Sequence, residues 1–325
     1  MKYATAVVVG KFYPPHAGHH YLINTALAHA DHVTVMVCDT VGQTIPAKLR
    51  ASWLKEAHPT ADIRVIKDIG KDDDSVAWAA YTIQLLGYKP DAAFTSEEYG
   101  TPWCKAMQCE HYLVDIDRKK YPVSGTKVRA NPYAYWKFLS PPVRAYYAKR
   151  ICVVGAESTG TTTLSKALAR HYKTTWVPEY GRYYTEGKLL ANKTGSTWYS
   201  KEFDVIADLQ NKTEDELARY CNKVLICDTN AFATELWHER YMGTMSQGVK
   251  RLAHKNKYAL YILTGDEIPF EQDGMRDGEH IRHDMHKRFV AELDKQSVPH
   301  IIVRGSVKKR IAESVRQIDK LLAVS

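Results

Sequence analysis

Short apolar runs rich in β-branched residues alternate with helical patterns along the chain. In the first part, the runs cover residues 5–9, 32–37, 63–66, 92–95 and 111–114. Helical patterns lie between them, for example at 18–30 and 75–86. This regular succession of strand and helix predicts a parallel, doubly wound sheet, in which right-handed crossovers return the chain for each new strand.

A second series of the same kind begins at residue 150. Its strand-like runs cover 150–154, 223–227, 259–264 and 300–303, and its helical patterns include 162–171, 203–219, 280–295 and 308–322. The chain has 325 residues, which is enough for about two domains. We therefore predict two α/β domains, at 1–130 and 150–325, joined by an aromatic and proline-rich connector at 131–149.

The composition is that of an ordinary globular protein, with 45% hydrophobic and 25% charged residues. It excludes a disordered chain, a collagen and a disulfide-rich mini-protein. No apolar run approaches the roughly 18–20 residues of a membrane span and we find no signal peptide, so we expect a cytoplasmic protein without a membrane partner. The net charge of +8 is spread over both halves of the chain. That spread favours small anions such as nucleotides over nucleic acid as partners.

A first phosphate-binding pattern, GKFYPPHAGH at 10–19, follows the first predicted strand and precedes a predicted helix. Ligands of open parallel sheets bind beyond the carboxyl ends of the strands. Gly10 permits a sharp turn, and Gly18 permits a ligand to approach the helix N-terminus, whose amides attract anions. Two histidines at this spacing are more often structural. The glycines and the strand–loop–helix context instead predict that His16 and His19 face phosphates.

A second segment, SGTKVR at 124–129, combines hydroxyls and a glycine with a basic residue before a helix. Alone it is more often a plain N-cap than a second anion site. Together, HxGH after the first strand and a late SxTxxR resemble the nucleotidyltransferase superfamily, which transfers nucleotides to phosphate groups.

Within that superfamily the sequence resembles the NadR-type nicotinamide mononucleotide adenylyltransferases. The resemblance rests on GKFYPPHAGHHYLI, on TSEEYG at 95–100, on VDIDR at 114–118 and on SGTKVRANPYAYWKFL at 124–139. It continues into the second domain and so covers nearly the whole chain. Many NadR proteins carry an N-terminal helix-turn-helix, whereas this chain starts in the first strand, so we expect no repressor role.

The resemblance implies that the phosphate of nicotinamide mononucleotide attacks the α-phosphorus of ATP, which yields NAD and pyrophosphate. It places Lys11, His16 and His19 on the reacting and leaving phosphates. Ser124, Thr126 and Arg129 would hold the β- and γ-phosphates of ATP, with Mg²⁺ bridging them. The catalytic candidates are Lys11, His16, His19 and Arg129, and the binding candidates are Gly10, Phe12, Gly18, Trp78, Ser124 and Thr126. Trp78 either stacks on the nicotinamide ring or belongs to the core, the commoner role.

A phosphate loop with one altered residue opens the second domain. In GAESTGTTTL at 155–164, both glycines and Thr162 match the pattern GxxxxGK[ST], but Thr161 stands at the lysine position. Backbone amides still cradle phosphates there, and Thr162 still serves Mg²⁺. The charge that normally reaches the β- and γ-phosphates is missing, so either another cation serves or kinase chemistry is weak. Lys166 is expected to point elsewhere.

The rest of this domain resembles the ribosylnicotinamide kinase half of NadR. By that resemblance PEYGR at 178–182 holds the acceptor nucleoside, through Glu179, Tyr180 and Arg182, and Asp228 ends a strand where a carboxylate meets Mg²⁺. A segment at 273–276 with Arg282 beyond it looks like a lid over ATP. The ATP-binding candidates are Gly155, Ser158, Thr159, Gly160, Thr161, Thr162, Thr163, Arg276 and Arg282, and those that serve Mg²⁺ indirectly are Thr162 and Asp228.

The predicted architecture is a Rossmann-like HxGH nucleotidyltransferase domain followed by a phosphate-loop kinase-like α/β domain. Three functional interpretations stay open. The first is a bifunctional enzyme whose small-molecule partners are ATP, nicotinamide riboside, nicotinamide mononucleotide and NAD, with the choice between monomer and homo-oligomer left open. The second retains only the adenylyltransferase and makes the second domain a nucleotide-binding or sensor module. The third is a superfamily member acting on another phosphate, against which the TSEEYG and SGTKVRANPYAYW blocks argue.

Overall fold

The computed structural model describes residues 2–71, 73–191, 197–271 and 278–323. The chain forms two compact units, Met1–Val143 and Arg144–Ser325. Of the connector expected at 131–149, residues 131–143 belong to the first unit and 144–149 to the second. Its aromatic residues Tyr133 and Trp136 are buried, and their rings stack with centroids 6.0 Å apart.

The first unit is a five-stranded parallel sheet in the order β3-β2-β1-β4-β5. Its strands are β1 Tyr3–Gly10, β2 Ala30–Asp39, β3 Asp62–Lys67, β4 Ala92–Thr95 and β5 Glu110–Leu113. Its helices are α1 Ala17–His29, α2 Ala47–Ala57, α3 Ser75–Leu86, α4 Gly100–Met107 and α5 Gly125–Ala130, followed by a 3₁₀ turn Trp136–Phe138. Helix α6, Pro141–Tyr147, begins in the first unit and ends in the second. Because β1 lies between β2 and β4, the strand order reverses at β1, and such a switch point opens a crevice beyond the carboxyl ends of the strands.

Both faces of this sheet are covered, which explains the continuous apolar runs. Val8 of β1 belongs to one buried cluster with Val35 and Phe94, whereas its neighbour Val7 belongs to another with Met36. Side chains alternate between the two faces of a strand. A strand that is covered by helices on both sides therefore carries apolar side chains on both faces.

The second unit is also a five-stranded parallel sheet, in the order β10-β9-β6-β8-β7. Its strands are β6 Lys149–Val154, β7 Trp176–Val177, β8 Val224–Asp228, β9 Leu260–Thr264 and β10 His300–Val303. Its helices are α7 Thr161–Tyr172, α8 Tyr180–Ala191, α9 Ser200–Ala218, α10 Ala231–Met242, α11 Gln247–Ala253, α12 Arg282–Leu293, preceded by a 3₁₀ turn Glu279–Ile281, and α13 Val307–Ala323. The predicted class, α/β with parallel sheets, is confirmed. Among the described residues, no helix is both long enough and apolar enough to cross a membrane.

Candidate active sites

A cavity of about 660 Å³ opens at the carboxyl end of β1 in the first unit. It brings together every adenylyltransferase residue named from the sequence: Gly10, Lys11, Phe12, His16, Gly18, His19, Trp78, Ser124, Thr126 and Arg129. Parts of the TSEEYG and VDIDR blocks border it too, through Ser96, Glu97, Tyr99, Asp115 and Arg118. The fold therefore gathers segments that are more than a hundred residues apart in the chain.

The two histidines of the HxGH pattern lie at the start of α1. His16 precedes the helix, and its ring stacks on that of His19 with centroids 3.7 Å apart and an interplanar angle of 22°. Burial lowers the pKa of His16 to about 3 and holds the pKa of His19 well below its usual value, and the charges of His20 and Arg118 add to both shifts. Both Nδ1 atoms are buried without a hydrogen-bond partner among the described residues. Both imidazoles are therefore neutral at pH 7.

The SGTKVR segment reaches the same loop from the other side. Arg129 Nη1 donates to the Tyr13 carbonyl at 2.5 Å, and its guanidinium carbon lies 4.4 Å from the centre of the Tyr13 ring. A Cβ on Gly125 would lie 2.5 Å from the same carbonyl oxygen, so only glycine fits there. Ser124 accepts from Lys127 N at 3.2 Å. The SGTKVR segment thus caps α5 and also lines the cavity. The N-cap role and the role in anion binding are therefore compatible.

The position of Trp78 is compatible with both of its predicted roles. It packs, half-buried, against the core cluster of Val7 and Met36, and its indole borders the cavity. Its ring meets that of Tyr81 edge-on, with centroids 6.0 Å apart. The contact with the core fixes the indole where a flat ligand could stack on it.

Sequence reasoning missed Arg50, a completely buried arginine on α2. Its guanidinium donates to the carbonyls of Lys11, Ile45 and Cys38, the last two at 3.0 and 3.2 Å, and to the side chain of Gln43. It thereby ties the loop after β1 to the end of β2. The only sequence signal is a basic residue inside an otherwise amphipathic helix, which does not reveal these partners.

A second cavity, of about 720 Å³, lies within the second unit beside the phosphate loop. The loop turns through Gly160 at φ 82°, and α7 begins at the next residue. A Cβ on Gly155 would lie 2.2 Å from Thr264 Oγ1, so the loop must start with glycine. Asp228, the last residue of β8, pairs in register with Val153, and its Oδ2 accepts from Thr162 Oγ1 at 2.6 Å.

The kinase candidates divide into two groups. Those that border the cavity are Gly155, Ser158, Thr161, Thr162, Glu179 and Arg182; those that lie off its lining are Thr159, Gly160, Thr163, Tyr180, Asp228 and Arg282. Arg282 is buried, and it donates to the carbonyls of Asp266 and Ile268. Arg276 and the rest of the lid expected at 273–276 lie outside the described residues.

Three cations of the second unit, Lys166, Arg310 and Arg182, are candidates to replace the lysine that is missing at position 161. Lys166 Nζ lies 4.6 Å from the centre of the Trp176 ring, in agreement with the expectation that it points elsewhere. Arg310, which the sequence did not single out, is buried and donates to the Thr159 carbonyl at 2.7 Å and to Glu267 at 2.7 Å. Arg310 therefore stabilises the phosphate loop by donating to one of the loop's backbone carbonyls, whereas Arg182 borders the cavity itself.

The residues expected to serve Mg²⁺ have suitable chemistry. Burial raises the pKa of Asp228 to about 6, and its Oδ1 is buried without a hydrogen-bond partner among the described residues. A carboxylate with a free oxygen beside a threonine hydroxyl is a donor set that Mg²⁺ accepts.

Part of the lining of the second cavity is aromatic. The ring of Trp198 lies 5.2 Å from that of Phe203 and 5.6 Å from that of Tyr241, centroid to centroid, and Trp237 borders the same space. Lys188 Nζ lies 4.2 Å from the centre of the Trp198 ring. We refer to Trp198, Phe203, Trp237 and Tyr241 as the aromatic wall. Such a wall favours a flat or cationic ring as ligand.

Comparisons with known proteins agree with this arrangement. A family model described as an AAA domain matches residues 150–310. The "Trifunctional NAD biosynthesis/regulator protein NadR" of Escherichia coli (strain K12) is 29% identical over 299 residues, which are 85% of this chain and 72% of that protein. Its counterpart in Salmonella typhimurium is 27% identical over 314 residues, or 90% of this chain and 76% of that protein.

Two solved structures share the fold at 19% sequence identity. A NadR protein in complex with NR has a TM-score of 0.79, with 99% of this chain and 96% of that chain covered. A NadR protein in complex with NAD and AMP-PNP has a TM-score of 0.73, with 99% and 97% covered. Together, the sequence relatives and the shared fold support a NadR-type protein.

Proposed function

We propose that the chain acts in NAD biosynthesis and that its first unit transfers AMP from ATP to nicotinamide mononucleotide, giving NAD and pyrophosphate. The observation that carries this proposal is the convergence of the GKFYPPHAGH and SGTKVR segments on one cavity at the switch point of the sheet. The relatives named as NAD biosynthesis proteins support the role in NAD biosynthesis.

The chemistry of the first cavity suits a nucleophile that needs no base. A phosphate monoester has its second pKa near 6, so the attacking oxygen is largely ionised at about pH 7. Catalysis then consists of positioning and charge neutralisation. The neutral imidazoles of His16 and His19 donate hydrogen bonds to phosphate oxygens, and Lys11 and Arg129 supply positive charge. Mg²⁺, when bound with ATP, would lower the charge on the leaving pyrophosphate.

We propose that the second unit phosphorylates nicotinamide riboside with ATP, so that its product is the substrate of the first unit. The phosphate loop would hold ATP, Thr162 and Asp228 would hold Mg²⁺, and the aromatic wall would receive the nicotinamide ring. The ring of this riboside is a cationic pyridinium, which fits an aromatic surface. A solved structure of the same fold, a NadR protein in complex with NR, supports nicotinamide riboside as the substrate.

Thr161 favours a second candidate for this unit, a nucleotide-binding module without turnover. A neutral hydroxyl does not replace the lysine charge on the β- and γ-phosphates. The proposal of a kinase therefore requires another cation at the phosphates. Arg182, which borders the cavity, is the residue that we assign to this task.

A product profile with ATP and Mg²⁺ tests both reactions, with nicotinamide mononucleotide and nicotinamide riboside run in parallel. The bifunctional enzyme forms NAD from both substrates and releases ADP in the riboside reaction. NAD from the mononucleotide alone would leave the second unit a binding module. The absence of NAD from both would overturn the adenylyltransferase.

A further inference from the structure

One buried side chain of the second cavity has only half of its hydrogen bonds made. Gln210 lies on α9, is 1% exposed and borders the cavity. Its Oε1 accepts from Tyr180 N at 2.9 Å, whereas its Nε2 is buried without a partner among the described residues. Because a backbone N–H can only donate, the amide oxygen must face Tyr180 and the amino group must lie on the other side.

The neighbours of Gln210 indicate which part of a ligand it meets. Phe203, Ile206 and Gln210 follow one another at helical spacing, so they share one face of α9, and all three border the cavity. Phe203 belongs to the aromatic wall, and Gln210 lies two turns further along the helix. There Glu179 joins the lining, immediately before Tyr180 in the chain. The cavity thus passes from a ring-binding end to a part bordered by an amide donor and a carboxylate acceptor.

A donor beside an acceptor is the complement of a hydroxyl group, which accepts through its lone pairs and donates through its hydrogen. A ligand carboxylate would meet repulsion from Glu179, and an aliphatic group would leave the buried Nε2 unpaired. We propose that Gln210 is a specificity residue that donates from Nε2 to a ribose hydroxyl of the acceptor nucleoside, while Glu179 accepts from the sugar. This inference rests on the proposed kinase function of the second unit.

Two substitutions separate this role from simple support of α8. Gln210→Glu keeps an oxygen for the Tyr180 N–H but replaces the free donor with an acceptor. Gln210→Met keeps the length of the side chain and removes both groups. Asn211→Ala is the matched control: Asn211 is the next buried amide of α9, its Nδ2 donates to the Leu252 carbonyl at 2.8 Å, and it is absent from the cavity lining.

The measurement is the calorimetric affinity of the full chain for nicotinamide riboside and for its 2′-deoxy and 3′-deoxy analogues. The unchanged protein is expected to prefer the riboside to at least one analogue. Both Gln210 variants should lower that preference by about tenfold or more, since one hydrogen bond in a buried site is lost. Asn211→Ala should lower the melting temperature and leave the preference intact.

Three results would overturn the inference, and they are distinguishable. If the Gln210 variants weaken riboside and deoxy analogues equally, Gln210 acts only by holding the start of α8. If the unchanged protein binds riboside and analogues alike, the cavity does not recognise the sugar hydroxyls, and the kinase proposal stands without this residue. If the unchanged protein binds none of them, the kinase proposal itself fails and this inference with it.

Discussion

At the scale of single residues, the first unit is distinguished by four neighbouring histidines. His16 and His19 stack, and His20 Nδ1 lies 2.9 Å from His58 Nε2. Burial lowers the pKa of all four, to about 3 at His16 and about 4 at His20. As the pH falls below the unfolded value of about 6.5, the unfolded chain binds protons that the folded chain refuses, so stability is lost on acidification.

His20→Asn should therefore reduce the sensitivity of the first unit to acid. Asparagine can still hydrogen-bond to His58 but does not titrate. With a folded pKa of about 4, His20 costs about 2 kcal/mol of stability between pH 7 and pH 5, and the variant should be spared that loss. Urea unfolding at the two pH values measures the difference. His32→Asn, at an exposed position, is the control, and an identical loss in His20→Asn and unchanged protein would contradict the assignment.

Thr161→Lys tests whether the missing charge limits the second unit. If no other cation replaces the missing lysine, restoring the charge should raise the rate of ADP formation with nicotinamide riboside by at least about tenfold. This factor corresponds to the free energy of one charge-assisted hydrogen bond. His171→Lys is the control, since His171 is exposed in the last turn of α7, away from the phosphate loop. A rate for Thr161→Lys that stays at or below the starting value would mean that Arg182 already supplies the charge.

At the scale of secondary-structure elements, two buried arginines hold the loops that we propose to bind phosphates. Arg50 contacts Lys11, 39 positions earlier in the chain, and Arg310 contacts Thr159, 151 positions earlier. In each case a guanidinium from a helix satisfies backbone carbonyls of a loop that follows a strand. Rigid loops of this kind present their amides to a ligand without further loss of conformational freedom.

Arg50→Met is expected to destabilise the first unit by about 3 kcal/mol or more, because several buried carbonyls lose a charged donor at once. Chemical denaturation measures the loss. Arg64→Met is a suitable control, since Arg64 pairs with Asp62 at a more open position and donates one bond to the Leu85 carbonyl. A change below about 1 kcal/mol for Arg50→Met would show that water or neighbouring groups satisfy the carbonyls of Lys11 and Cys38.

These arginines also mark the limit of prediction from sequence at this scale. The strands and helices were predictable because they depend on local periodicity. The segments proposed to bind phosphates could be singled out because each carries a glycine-containing motif next to a predicted strand or helix. The two-residue strand β7 is too short to show a period. Arg50, Arg310 and the half-satisfied Gln210 could not be identified, because their roles arise from partners distant in the chain. The proposed catalytic and binding roles stay predictions until they are measured.

At the scale of the whole molecule, each unit carries its own sheet, core and cavity. Each cavity is lined by residues of one unit, 9–129 in the first and 155–242 in the second. The two proposed reactions are linked by nicotinamide mononucleotide, the product of one and the substrate of the other. Their chemistry therefore needs no shared residue.

Because the two sites are separate, we expect two variants that each lose one activity and retain the other. His19→Ala should lower NAD formation from nicotinamide mononucleotide on the order of 10²–10³-fold, as for loss of one donor to the transition state, and leave riboside-dependent ADP release unchanged. Thr162→Ala should do the reverse. His19 also meets the Phe12 ring edge-on at 5.0 Å, so thermal melting must accompany the assay. Parallel loss of both activities in a folded variant would refute the independence of the sites.

The lysine-free phosphate loop has a practical consequence for chemical proteomics. Acyl-phosphate derivatives of ATP tag nucleotide sites by transferring their acyl group to a lysine amine near the phosphates. None of the described residues that line the second cavity is a lysine, whereas Lys11 borders the first. A labelling survey of this protein would therefore report occupancy of the first unit by a tag on Lys11, while ATP bound in the second unit would leave no tag on the described residues that line its cavity.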